Sequence, residues 1–288
     1  MRISVIIMIL IGITGLLALN RPNLSTLSQA SILGLWTESY SATEHENDPN
    51  AGPPGIEDLK NLDERFTYEV RYGFFRIGNV HVYLKADTVY RGSPVKHLVT
   101  EMVSNRSLPL VGYKEAHYHN YIAYNDTIPY GYRFWQNSLH RDMMERYVFD
   151  YDYEAGKVFS YEEGEPVDTL ELDRPADSGP SIMYYSRLHA GTETFRTYPI
   201  YIDHQRSEIE MNFTSRRESY ESDAFPDEEF SAYYMEGNAD FEGPFGFSGR
   251  FEAYFKDDKY RIPLEARVRV WLGSVSVRLV EYERLNGT

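Results

Sequence analysis

The chain contains no cysteine. That absence removes disulfides, thiolate metal sites and thiol nucleophiles together, since each needs a sulfur atom. Basic residues are scarce: 29 Lys and Arg stand against 44 Asp and Glu, a formal net charge of −15. Phosphate backbones are met by Lys and Arg, so a pI near 5.0 argues against nucleic acid as a partner. Long apolar runs are confined to the first twenty residues, so no stable membrane span is expected once that segment is removed. A phosphate-cradling glycine loop, a dinucleotide fingerprint and a compact zinc signature are all missing, and no cofactor is expected. What is plentiful is tyrosine, with 25 Tyr and 15 Phe in 288 residues. Tyr joins an apolar body to a polar tip and favours strands, which leans the chain towards half-buried β-structure.

Arg2 precedes an uncharged apolar run from Ile3 to Leu19, followed by Asn20 and Arg21, the pattern of a secretory signal peptide. Ser28-Gln29-Ala30 offers small residues at −3 and −1, which places cleavage after Ala30. An uncleaved anchor is the alternative, because the run is near the lower limit for spanning. Export without cysteine suits a bacterial periplasm or cell envelope better than an oxidising eukaryotic route. Residues 31–60 include the polar stretch Glu44 to Gly55, rich in Pro, Gly and Asn, and read as a flexible linker. Residues 61–288 are then the folded domain.

Within that domain the dominant period is two. Phe66, Tyr68, Val70 and Tyr72 alternate with polar residues, as do Val80, Val82, Leu84 and Ala86. Such alternation marks strands buried on one face, the habit of antiparallel sheets. Leu264, Ala266, Val268, Val270 and Leu272 sit on even positions, whereas Val275, Val277 and Leu279 sit on odd ones. A two-residue turn at Gly273-Ser274 accounts for the change of phase and sets Leu272 opposite Val275, Val270 opposite Val277 and Val268 opposite Leu279. One long strand with a glycine bulge is the rival. Asp177-Ser178-Gly179-Pro180 supplies an N-cap and a first-turn proline, predicting a helix over Ser181 to His189 that Gly191 closes. The expected fold is mainly β, a single strongly curved or barrel-like antiparallel sheet with at least one packed helix, because a sheet this long must hide its edges.

Three stretches resemble a bacterial envelope family known as domain of unknown function 3108. They are Glu64 to Gly73 followed by Ile77-Gly78, then Asp177 to Arg187, then Asp257 to Leu264 running into Gly273 to Leu279. The resemblance implies an exported, chiefly β protein and carries no activity with it.

Glu115, His117 and His119 share a strand face, so His117 and His119 are weak metal-ligand candidates, with His140 or Asp142 to complete a site. The plainer reading is a polar stripe facing solvent. Asp177, Ser178, Ser181 and His189 hold the residue types of nucleophilic catalysis, yet serines at a helix start are usually caps. Acidic runs at Glu162 to Glu165, Glu218 to Asp223 and Asp227 to Glu229 read as solvated loops, since glycoside hydrolysis needs carboxylates held apart across a cleft. With no catalytic set identified, the expected function is that of an exported, non-catalytic envelope protein binding an apolar, lipid-like ligand or another envelope component. Tyr184, Tyr185 and Arg187, on the helix of the second motif, are its candidate ligand contacts. An envelope hydrolase acting on glycan or peptide is the alternative.

Overall fold

A computed structural model describes residues 52–105, 114–140, 143–241, 248–269 and 274–285. The expected signal peptide, most of the linker, and residues 270–273 at the expected turn lie outside them. The first described element is a short helix, α1 (Ile56–Lys60), which lies within the stretch read as linker; its Leu59 is fully buried. Alternating sequence then builds eight strands in succession: β1 (Glu64–Tyr72), β2 (Phe75–Tyr90), β3 (Ser93–Ser104), β4 (Lys114–Tyr124), β5 (Pro129–His140), β6 (Met143–Asp152), β7 (Lys157–Glu162) and β8 (Glu165–Glu171). A second helix, α2 (Ile182–Arg187), interrupts them. Six more follow: β9 (Thr194–Ile202), β10 (Gln205–Tyr220), β11 (Phe230–Ala239), β12 (Gly249–Lys256), β13 (Pro263–Arg269) and β14 (Ser274–Arg284).

All fourteen strands belong to one antiparallel sheet, in the order β8-β7-β6-β5-β4-β3-β2-β1-β14-β13-β12-β11-β10-β9. β1 and β14 meet in its middle, with Glu64 opposite Arg284 and Val70 opposite Val277. A twisted sheet of this width curls. The β6 ring of Tyr151 packs edge-on against Tyr201 of β9, their centroids 5.7 Å apart. The segment between β8 and α2 stitches the seam. The Gly131 N–H of β5 donates to the Ala176 carbonyl at 2.8 Å, and the Tyr201 N–H of β9 donates to the Asp177 carbonyl at 2.9 Å. The sheet is thus curled and barrel-like without closing strand on strand.

One face of the curl is the core. Phe66 and Val70 of β1, Leu98 of β3, Ile122 of β4, and Met211 and Phe213 of β10 are essentially inaccessible there. α2 packs on this inner face, with Tyr184 in the part of the core built by β1 and β2 and Tyr185 in the part built by β9 to β12. Among the described residues no helix is long and apolar enough to cross a membrane.

Two local expectations need correction. The helix is shorter than Ser181 to His189 and has Ser181 as N-cap, without a side-chain capping bond. The expected caps are engaged elsewhere: Ser178 bonds the Tyr151 hydroxyl and Ser181 bonds Asp177. The chain then turns through His189 to Gly191, whose φ of +88° suits glycine. The terminal strands do form a hairpin, but Val268 faces Val275 and Ala266 faces Val277, four positions from the two-residue register. Arg269 pairs with Ser274, so the connection takes residues 270–273 rather than Gly273-Ser274. An even-numbered shift preserves the face of every side chain, which is why the inner assignment of Val268 and Leu279 holds.

Candidate functional site

The three motif stretches converge on one buried ion pair. Arg187 of α2 donates from Nη1 to Glu64 Oε2 at 2.7 Å and from Nη2 to Glu64 Oε1 at 3.1 Å, a bidentate fork with both side chains fully inaccessible. Its Nε donates to the Tyr260 carbonyl at 2.7 Å, and the Tyr282 hydroxyl donates to Glu64 Oε1 at 2.6 Å. Burial works against the Arg187 charge, and Glu64 more than offsets it, holding the guanidinium above its ordinary range. The guanidinium also lies 5.5 Å from the Tyr184 ring centre. Burial, then the Glu64 charge, pushes the Tyr184 hydroxyl well up. Tyr185 points into the other part of the core, 4.5 Å from Tyr198 between ring centres. Tyr184, Tyr185 and Arg187 therefore sit inside the curl and anchor α2 to the sheet from two sides.

The serines and Asp177 form a second buried knot. Asp177 accepts from Ser181 Oγ and, at 2.6 Å, from Asn120 Nδ2. Burial pushes its carboxyl up to about 6, against the opposing pull of those donors. His189 reaches neither serine. It packs against Tyr185 and Phe213, and burial lowers its imidazole to about 4. A serine nucleophile needs a base within hydrogen-bond reach, and here the hydroxyls are spent on Asp177 and Tyr151.

His117 and His119 lie on the outer face of β4 and diverge. His117 meets Glu115 at 2.9 Å and Glu101 at 3.6 Å. His119 turns to His97, 3.1 Å away, and stacks on Trp135 with ring centres 4.7 Å apart. Burial, then the neighbouring His97, lowers the His119 imidazole to about 4. Among the described residues no group of three or more His, Asp or Glu side chains is placed to hold a metal ion. Asp142 and the His140 side chain lie outside them.

The open feature is on the outer face of β9 to β13, where a groove encloses about 480 Å³. Strand alternation makes it: Ile209, Met211 and Phe213 point inward, so Glu210 and Asn212 point out. Strand register then aligns Phe195, Asn212, Glu236, Glu252 and Arg267 in one row across five strands. Glu210, Asn238 and Arg250 form a second row beside it. Asn212 Nδ2 donates to Glu236 Oε1 at 3.4 Å, and Arg267 lies 3.9 Å from Glu252. Phe195, on the edge strand, is 58% exposed. A smaller hollow of about 360 Å³ lies over β1 to β3, between Arg65, His81, Tyr83 and Glu101. Sequence reading missed the groove because its members are brought together only by register; the one local signal was the polar phase of each strand.

Fold and groove together define a class: a single curled antiparallel sheet with a helix packed on its inner face and an open groove on its outer one. The family described as protein of unknown function (DUF3108) matches residues 67–280, and the chain belongs to it. It is also similar to the crystal structure of a β-barrel-like protein of domain of unknown function DUF1849 from Brucella abortus, at 10% identity over 78% of this chain and 99% of that one, with a TM-score of 0.49. Among curated proteins none matches.

Proposed function

We propose that the chain is an exported, non-catalytic protein of a bacterial envelope that binds another envelope component in the outer groove of β9 to β13. The observation that carries this reading is the groove itself, open and lined by charged and amide side chains beside Phe195, Tyr234 and Phe251, set against an inner face on which α2 packs. Of the two occupants suggested by the sequence, an apolar ligand and an envelope component, the five charged and two amide side chains set among the groove's aromatic rings favour the second. In this reading Tyr184, Tyr185 and Arg187 act from inside, holding the curl whose outer surface is the groove.

One observation favours the hydrolase reading. Glu236 and Glu252 are directly opposite on neighbouring strands within the groove. A glycosidase holds its two carboxylates at a set separation across a cleft, one in an apolar pocket; here Glu236 is exposed on the open sheet face and Glu252 lies by Arg267. Release of reducing ends from envelope glycan by the wild type, lost in Glu252→Gln, would establish that alternative instead.

The binding reading is tested in the producing cell. A photo-crosslinking phenylalanine analogue at position 195 should capture an envelope component, and the same analogue at Val167, 48% exposed on β8, should not. Equal capture at both positions overturns it. Amino-terminal sequencing of this chain recovered from the envelope should begin near Ser31; recovery of Met1 would favour a retained anchor.

A further inference from the structure

We infer that the component read by this groove is a glycan strand without acidic groups, an inference that rests on the binding reading above. Three features carry it.

The first is direction. The rows run across the strands, on a face where backbone N–H and C=O groups are already used in the ladder. A polypeptide adding to a sheet would seek an edge, where those groups are free. Here the contacts are side chains alone, spread over five strands and about 19 Å at the usual strand spacing.

The second is the kind of side chain. Asn212, Asn238, Glu236 and Glu252 end in planar amides and carboxylates. Each presents two hydrogen-bonding atoms in one plane, the arrangement that pairs with adjacent sugar hydroxyls. Phe195 stands at the end of the row with more than half its surface exposed, at 58%. An aromatic ring so placed offers its face to the C–H side of a pyranose while the polar row takes the hydroxyls. Tyr234 also lines the groove, with the Arg216 guanidinium over its ring at 4.7 Å.

The third is charge. Among the residues lining the groove, Glu210, Glu236 and Glu252 outnumber Arg250 and Arg267, and the neighbouring Arg216 is paired with Glu218. Arg267 is already committed, donating to Glu265 at 3.1 and 3.0 Å and lying 3.9 Å from Glu252. An acidic sugar would meet a net negative floor within a Debye length of about 8 Å. A neutral or amino-bearing sugar would not.

The test is calorimetric titration of the full chain with N-acetylglucosamine hexamer and, separately, with galacturonic acid hexamer. The neutral hexamer should bind, and the acidic one should bind at least tenfold more weakly. Phe195→Ala and Asn212→Ala should each weaken neutral binding by tenfold or more, with melting temperatures unchanged because both side chains lie outside the core. Equal affinity for the two hexamers, or neutral binding indifferent to both substitutions, overturns the inference. Absence of neutral binding overturns it too, and the crosslink at position 195 then separates the failures. A captured envelope polypeptide sinks the glycan and leaves the groove as the binding site; no capture sinks both.

Discussion

Arg187→Met is the most informative single perturbation of the fold. It leaves Glu64 wholly inaccessible, with the Tyr282 hydroxyl at 2.6 Å as its remaining side-chain donor, and takes the donor from the Tyr260 carbonyl. Removing one member of a buried ion pair costs about 3–5 kcal/mol, because the other charge stays desolvated. Total stabilities run to about 5–15 kcal/mol, so the loss is a large fraction. In a domain of this size it lowers the melting temperature by about 10–15 °C. Glu64→Leu should cost a similar amount by stranding the guanidinium. The double variant Glu64→Leu with Arg187→Met should recover most of the loss, since two apolar groups of similar volume need no compensation. Urea unfolding of the four proteins closes the cycle. A single variant within about 1 kcal/mol of the parent, or a double variant as costly as the two singles added, would refute the claim that this pair joins the three motifs.

Three further outcomes follow from the geometry. Asp177 holds its proton more tightly folded, at about 6, than unfolded, near 3.9, so its contribution is complete below pH 4 and is lost as pH rises towards 6, about 3 kcal/mol in all. Unfolding measured from pH 4 to 6 should show that slope in the wild type and not in Asp177→Asn; parallel slopes would be contrary. Gly237→Ala should destabilise by about 1–3 kcal/mol in urea, because a β-carbon there runs into the Glu210 carbonyl and the Phe251 ring. His119→Gln should lose about 1 kcal/mol through its stacking on Trp135, whereas half-exposed His117→Gln changes stability by less than about 0.5 kcal/mol; a change in bound metal content in either variant would restore the metal reading.

The period-two runs at Phe66 to Tyr72 and Val80 to Leu84 made the first strands legible because burial on one face imposes that period locally. The helix was legible from Pro180 and Gly191, but its caps were not: Asp177 and Ser178 are drawn to Asn120 and Tyr151, partners 57 and 27 positions away. The hairpin register failed for a related reason. Parity fixes the face of a strand and leaves its offset to the length of the connection. Arg187 was picked out within a motif, yet its partner Glu64 stands 123 positions earlier, and no local spacing encodes such a contact. The groove was the least legible feature, since every row in it is a product of register between strands.

The central seam has a consequence for the order in which this protein takes shape. Among the described residues β1 is the first strand made and β14 the last, yet they are neighbours, with Glu64 opposite Arg284. Every other ladder is a local meander that can zip as the chain emerges, whereas this one closes a loop of more than two hundred residues. Contacts so distant in sequence slow folding, and until they form, β1 and β14 each present a bare edge ready to pair with another chain. The two halves of the sheet are therefore wings that await their hinge. A ribosome still holding β14 leaves β1 without the partner that joins the two halves of the sheet.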